Sequence, residues 1–281
     1  MDCFIDGART PAQRRLAAVV DRWCVQRDRR LHFAAAHAMA LDAAIAVARA
    51  GRYLESRWVL DLVEEWAEYY LVTVEACDDD LTLVTPPAWA EAHRAAQAQT
   101  TEAAEALMLG VSAHLTNDLP QALAYALRSE WPLPAAQLAR RRADFDKLLD
   151  AVTDTVDSLQ CLVARFDEVL VPDRRGLSSV FATSWDVPRM SRSWREGIWQ
   201  DALTLVTAVD ERWSAVIREE IECTASRRAH LLMCPIEHRD ELVQLPAREL
   251  DRRFPVRHLA GQCRLSGSPP VWGGSVPTAT L

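Results

Sequence analysis

Apolar residues recur at three- and four-residue spacing along most of this chain, and no other feature constrains its fold as much. In the segment 55–77, for example, Trp58, Leu62 and Trp66 follow one another at four-residue intervals and therefore share one face of a helix. No run of alternating apolar and polar residues predicts a strand, and no internal repeat is present. The sequence therefore predicts an all-α fold, a helical bundle of roughly seven to nine helices.

Prolines and a glycine indicate where several of these helices begin and end. Pro11 is expected to open a helix over 11–28, and Gly51 to stop a helix over 30–50. The paired prolines 86 and 87 precede a helix that we expect to continue up to the segment around His114. The other predicted helices cover 55–77, the short stretch between Pro120 and Trp131, 135–170, 188–228 and 237–250.

Charge and hydropathy exclude several classes of protein. The chain of 281 residues has a formal net charge of -8 and a pI of about 5.4, which argues against a nucleic-acid partner. No run of about 18 apolar residues appears, so we expect no membrane insertion. The N-terminus lacks the pattern of a signal peptide, and the seven cysteines are scattered. We therefore expect a cytoplasmic protein.

The C-terminal part of the chain differs in composition from the rest. Beyond Arg253 the chain turns to Gly, Pro, Ser and Thr and ends with the letters GSPPVWGGSVPTATL. Such a composition is typical of a segment that has no packed core of its own. We therefore predict a single helical-bundle domain over residues 1–253 and a mobile tail over 254–281.

The segment 107–120 carries the residues with the clearest potential for chemistry. His114 and Asp118 are four residues apart, so they lie on one face of a helix about one turn apart. Gly110, one turn earlier, is expected to leave open space on that face. Pro120 is expected to break the helix and restart it. Polar groups at a helix break inside an apolar bundle indicate a site, and we expect this pair to face an internal hollow.

The same segment resembles the hallmark phrase Leu-Gly-Met-Asn-Ala-His-Ile-Asn-x-Asp-Leu of a bacterial domain-of-unknown-function family, numbered 5995. The corresponding residues here are Leu109-Gly110-Val111-Ser112-Ala113-His114-Leu115-Thr116-Asn117-Asp118-Leu119. Ser112 and Thr116 replace two asparagines of the phrase. Further matches are Arg29-Arg30, Trp89 after the paired prolines, and Arg195-Glu196-x-x-Trp199-x-x-Ala202-x-x-Leu205. The resemblance covers roughly residues 10–215 and implies no established activity.

Two fainter resemblances point to metal-dependent enzymes. Gly110, His114 and Asp118 have the Gly-x-x-x-His-x-x-x-Asp spacing of the zinc-dependent phospholipase C and single-strand nuclease superfamily. The histidine that follows the proline in that pattern is absent here, so a complete trinuclear zinc site is not predicted. Asn117-Asp118 also resembles the start of the Asn-Asp-x-x-Ser-x-x-x-Glu motif of class I terpene cyclases, although Gln121 and Tyr125 occupy its Ser and Glu positions.

Three interpretations of the pair remain open. The two side chains could form a hydrogen-bonded pair that only orients a buried histidine. They could hold a divalent metal (Zn, Mn or Mg) if Asp150, Asp154 or Asp157 of the next long helix, or His37, converges on them. Alternatively, His114 performs acid–base catalysis with Asp118 as its orienting group and Asn117 beside it.

Candidate substrate-binding residues lie elsewhere in the chain. Arg195 is a candidate clamp for a phosphate or carboxylate, and its alternative is a salt bridge to one of the carboxylates between 150 and 157. Trp66 and Trp199 are candidates to contact an apolar ligand, since the chain has ten tryptophans. His37 is a further candidate for substrate or metal, and a core histidine is its alternative.

These residues favour an enzyme that acts on a small, largely apolar metabolite bearing a phosphate or carboxylate. Acid–base or metal-assisted chemistry centred on His114 and Asp118 would make it a hydrolase, or a lyase or cyclase of specialised metabolism. No cofactor other than the divalent metal is expected. The alternative is a non-catalytic ligand-binding or scaffold bundle. In either case a homodimer is considered as the assembly.

Overall fold

The computed structural model describes residues 9–78, 85–98, 103–155 and 192–233, and within them every regular element is a helix. The predicted all-α helical bundle is therefore confirmed. The nine α-helices of the described residues are α1 Pro11–Gln26, α2 Leu31–Arg49, α3 Ser56–Asp78, α4 Pro87–Gln97, α5 Ala103–Ala113, α6 Leu119–Arg128, α7 Ala135–Thr153, α8 Arg192–Val206 and α9 Glu211–Met233. The predicted helix over 237–250, the part of 135–170 beyond 155 and the tail over 254–281 lie outside the described residues.

Local sequence signals account for the helix ends that were predicted. Thr10 and Gln13 form a capping box around Pro11: the Thr10 hydroxyl accepts the Gln13 N–H, and the Gln13 side chain accepts the Thr10 N–H. Gly51, just after α2, has a φ of +63°, a conformation that glycine adopts without strain. Both ends satisfy backbone groups that a helix leaves unpaired.

Two predicted long helices are each divided in the structure. The helix from Pro87 ends at Gln97, and a second helix begins at Ala103. The helix predicted over 188–228 ends at Val206, and α9 begins at Glu211. The second division has a side-chain cause, because Asp210 accepts the backbone N–H of Trp213 at 2.7 Å and so caps a new helix. Apolar periodicity continues across both divisions, which is why it predicted one helix in each case.

Helix α2 occupies the centre of the described bundle, where it packs against α1, α3, α5 and α7. Twelve of its 19 residues are buried, so it is apolar on nearly every side. By length and composition it is also the one described helix that could cross a membrane, with a mean hydropathy of 1.5 over an 18-residue window that is 61% buried. A buried core helix meets the same criteria. Side chains from α2, α3 and α4 meet the junction of α5 and α6 inside this core.

Candidate active site

The helix does not break at the segment around His114. Residues His114–Asp118 form a π-helical turn that joins α5 directly to α6, and the N–H of Leu119 donates to the carbonyl of His114. The predicted break and restart at Pro120 is therefore wrong. A proline ring clashes with the carbonyl four residues before it in an α-helix. The wider π turn accommodates Pro120 without interrupting the chain of helical residues.

The π turn brings His114 and Asp118 into direct contact. Nδ1 of His114 lies 2.7 Å from Oδ2 of Asp118, and the two residues are only 4% and 1% exposed. Asp118 also accepts the side-chain N–H of Asn117 at 2.8 Å and the indole N–H of Trp89 at 2.9 and 3.1 Å. The carboxyl group is thus held by donors from the π turn and from α4.

His37 of α2 extends this contact into a chain of three ionisable groups. Its Nε2 lies 3.3 Å from Nε2 of His114, so one ring must donate and the other accept, and the tautomers of the two rings are coupled. Nδ1 of His37 is buried and has no hydrogen-bond partner within the described part of the chain. At one end of this hydrogen-bonded chain the carboxyl group of Asp118 has several donors, and at the other end Nδ1 of His37 has no partner.

Burial sets the protonation of these three groups. It lowers the pKa of His114 well below its ordinary value of 6.5, and it lowers that of His37 likewise, with a smaller contribution from His114. Burial also raises the pKa of Asp118 to about 8, although its hydrogen bonds from Asn117 and Trp89 act in the opposite direction. Both imidazoles are therefore held neutral, and the proton that titrates near neutral pH belongs to Asp118.

Aromatic rings enclose the histidine pair. Trp66 stacks on His114 with 4.4 Å between ring centroids and donates its indole N–H to the carbonyl of the same residue at 3.1 Å. Phe33 and Trp89 face His114 at 5.6 and 6.0 Å, and Tyr70 faces His37 at 5.4 Å. In place of the expected hollow, the pair meets closely packed rings on these sides.

Gly110 does not leave the open space that was predicted for it. The ring of Phe33 fills that position, and a Cβ added to Gly110 would lie 2.6 Å from Cδ2 of Phe33. The missing side chain of Gly110 therefore allows an aromatic ring, and not a ligand, to approach the helix backbone.

Beyond these rings lies a small cleft with room for about one water molecule, about 10 Å³. The polar residues Arg29, Arg30, His32 and His93 contribute to its lining. Phe33, Tyr70 and Trp89 line it too, so these three rings form a common wall between the cleft and the histidine pair.

The structure brings only some of the predicted binding residues to the pair. His37 and Trp66 contact His114 directly. Arg195 instead pairs with Asp150 at 2.6 Å, which confirms the salt bridge considered as the alternative to an anion clamp. Trp199 is buried against Phe145, with 5.5 Å between ring centroids, in the contact between α7 and α8. Arg195 and Trp199 therefore stabilise helix packing away from the pair.

The four predicted metal ligands do not converge. Helix α7 directs Asp150 towards Arg195, while Asp154 lines a separate groove of about 400 Å³ together with Met39 and Asp42. Within the described ranges, no group of three or more His, Cys, Asp and Glu side chains could hold a metal ion. His114 and Asp118 are hydrogen-bonded to each other in an arrangement that suits proton transfer.

Several residues of the site were not predicted from the sequence. Trp89 was noted only as a family match shortly after two prolines, and Phe33 was not among the candidates. The indole of Trp89 reaches Asp118 across 29 positions of sequence, which no local spacing can reveal. Its position in the first turn of α4, next to a buried aromatic face, was the only local signal.

Comparison with known proteins gives a family but no activity. A model of a family of unknown function (DUF5995) matches residues 11–235, which is well over half of the chain. No curated protein and no solved structure matches the chain. The similarity to the zinc-dependent phospholipase C and nuclease superfamily therefore stays a prediction.

Proposed function

This chain belongs to the DUF5995 family of unknown function, and we propose that it is an enzyme that moves a proton on a small, largely apolar metabolite. One observation carries the proposal. Asp118, His114 and His37 form a continuous hydrogen-bonded chain that ends at the buried, unpartnered Nδ1 of His37. That nitrogen is the atom that would meet the substrate once the wall of Phe33, Tyr70 and Trp89 opens, so His37 is the catalytic residue and the other two act through it.

The hydrogen-bonded residues Asp118, His114 and His37 can move one proton without placing a charge on either imidazole ring. With Asp118 ionised, His114 carries its proton on Nδ1 and His37 carries its proton on Nε2. When Nδ1 of His37 takes a proton from the substrate, the Nε2 proton of His37 passes to Nε2 of His114. The Nδ1 proton of His114 then passes to Asp118. The net result is that the substrate loses one proton at Nδ1 of His37 and Asp118 gains one. The reverse sequence returns a proton to the substrate.

The surroundings of the cluster suit this relay. Burial among aromatic rings lowers the pKa of both histidines, which disfavours an imidazolium intermediate. The pKa of Asp118, about 8, lies near neutral pH, where a general acid–base catalyst is most effective. Removal and return of a proton are steps of both hydrolysis by an activated water and metal-free cyclisation, the two reaction types expected from the sequence.

A scaffold would gain little from the same arrangement. A buried polar atom without a partner costs roughly 1–3 kcal/mol, and both Nδ1 of His37 and Oδ1 of Asn117 are such atoms. The π turn is a second unusual feature, and such turns occur frequently at functional sites. A π turn and unsatisfied buried atoms that share one site favour catalysis over a purely structural role.

Nuclear magnetic resonance of histidine-labelled protein tests the relay without a known substrate. Between pH 6 and 10 we expect His37 and His114 to stay neutral and to change tautomer together, with one midpoint near the pKa of Asp118. Asp118→Asn should remove the change, while Asp61→Asn, an exposed carboxylate on α3, should preserve it. An imidazolium signal from either ring at pH 6, or two independent tautomers, would contradict the relay.

Turnover is tested by incubating the purified chain with a bacterial small-molecule extract in D₂O and following the mixture by mass spectrometry. We expect at least one species to be converted or deuterated by the native chain and by Asp61→Asn, but not by His37→Asn or His114→Gln. Melting temperatures of the four proteins identify a variant that has merely unfolded. If the native chain changes no species, the scaffold alternative replaces the enzyme.

A further inference from the structure

The guanidinium of Arg29 is the most unusual charge in the cleft beside the candidate active site. Arg29 lies just before α2, and its Nη1 donates to the carbonyl of Ala98, the residue after α4, at 3.0 Å. Its Nε is buried and has no partner, and among the described residues no carboxylate forms an ion pair with it. A guanidinium forms strong forked hydrogen bonds with oxyanions, so an unpaired one beside a cleft lacks its natural partner.

Arg30, the next residue, differs from Arg29 because its guanidinium forms ion pairs. It contacts Asp28 at 2.6 Å and Asp78 at 3.5 Å, and it lies over the ring of Trp23 at 4.5 Å. Its charge is therefore balanced by two carboxylates. Arg29 has a carbonyl oxygen in place of those carboxylates, although it lines the same cleft.

We propose that this cleft binds the oxyanion, a carboxylate or a phosphate, of a small ligand whose apolar part lies at the mouth of the cleft. The inference names a substrate class for the enzyme proposed above and rests on that proposal for its catalytic meaning. The space of about 10 Å³ admits a single oxygen atom of the anion, so the rest of the ligand lies towards the mouth of the cleft.

Arg29 supplies the positive charge of this site. His93 also lines the cleft, but it stays neutral near pH 7 because burial, and then the nearby Arg30, lowers its pKa to about 4. Its Nε2 lies 3.5 Å from the hydroxyl oxygen of Thr73. Anion binding is therefore expected to depend on the charge of Arg29.

Calorimetric titration with naphthalene-1-carboxylate, 1-naphthyl phosphate and the uncharged naphthalene-1-carboxamide tests the site. We expect the carboxylate or the phosphate to bind, the tighter of the two identifying the anion, and the amide to bind at least about tenfold more weakly. Arg29→Gln should weaken anion binding about tenfold or more, and Arg29→Lys should weaken it less. Arg57→Gln, whose side chain is 87% exposed on α3, is the matched control and should change nothing.

Three outcomes overturn the inference: neither anion binds at millimolar concentration, the amide binds as well as the anions, or Arg29→Gln binds as the native chain does. Circular dichroism and the melting temperature establish that Arg29→Gln is folded, and Arg29→Lys retains a donor for Ala98. His114→Gln separates this inference from the proposed function, because it should lose turnover and keep anion binding. Binding without turnover in the native chain leaves the anion site standing and removes the enzyme.

Discussion

The indole nitrogen of Trp89 lies 2.9 Å from Oδ2 and 3.1 Å from Oδ1 of Asp118, so a single N–H is shared by both oxygens of a fully buried carboxyl group. An indole can only donate, and its hydrogen bond therefore favours the ionised form of Asp118 against the effect of burial. The contact joins α4 to the π turn. It also keeps the pKa of Asp118 close to neutral pH, where the proposed relay needs it.

Replacement of this donor should be costly. Trp89→Phe retains an aromatic ring and removes the N–H donor. Below about pH 8 Asp118 carries its proton, and a hydrogen bond between uncharged groups contributes roughly 0.5–1.5 kcal/mol. We expect a loss of that size in the free energy of unfolding, measured by urea denaturation, and a further rise in the pKa of Asp118. Trp58→Phe is the control, because the indole N–H of Trp58 is buried without a partner. Equal losses in the two variants would mean that only ring volume matters.

The pH dependence of stability should reveal the protonation of Asp118. Its pKa is 3.8 in an unfolded chain and about 8 in the folded protein, so between these values the folded state binds one more proton. Its contribution to stability is therefore complete below about pH 4 and is lost as the pH rises towards 8. The free energy of unfolding of the native chain minus that of Asp118→Asn should fall over this range and stay constant above it. A difference that rises with pH would show that Asp118 is ionised in the folded protein.

Gly110→Ala tests the close packing of Phe33 against the helix. Alanine is favoured over glycine inside a helix by about 1 kcal/mol, whereas overpacking a core costs roughly 1–3 kcal/mol. Because the added Cβ would lie 2.6 Å from the base of the Phe33 ring, overpacking should prevail and the melting temperature should fall. Gly197→Ala, in α8 with nothing within 4 Å, should raise it. A stabilised Gly110→Ala would contradict the close packing and would mean that the Phe33 ring yields to the added methyl group.

Local spacing explains which parts of the site could be predicted. His114 and Asp118 are four residues apart, and a helical or π turn brings such residues together in either case. The π turn itself was not predictable, because a proline within a helical pattern indicates a break as readily as a widened turn. The contacts of His114 with His37 and Trp66 depend on the packing of α2 and α3 against α5. The residue types made His37 and Trp66 candidates, but their spacing in the sequence could not establish these contacts.

Sequence spacing also failed to predict the partners of the acidic residues of α7. Their roles differ although their spacing is regular. Periodicity placed Asp150 and Asp154 among the possible metal ligands, but it carries no information on the partner that each side chain meets. Asp150 meets Arg195 of α8, and Asp144, two turns earlier, is almost fully buried near the start of α3. Asp150 and Asp144 therefore differ in burial and in partner, although both lie on α7: Asp150 forms an ion pair, and Asp144 caps another helix.

Asp144→Ala should be among the most destabilising changes in this helix. The two oxygens of Asp144 accept the backbone N–H groups of Leu54 and Glu55 at 2.7 and 2.8 Å, immediately before α3 begins. Loss of two hydrogen bonds to a buried charge at a helix N-terminus should cost about 3 kcal/mol in the free energy of unfolding. Asp150→Ala is the matched control, since the Asp150 side chain is 65% exposed and its ion pair with Arg195 should contribute at most about 1 kcal/mol. If denaturation shows equal losses, the pairing of α7 with α8, and not the cap on α3, anchors α7 in the bundle.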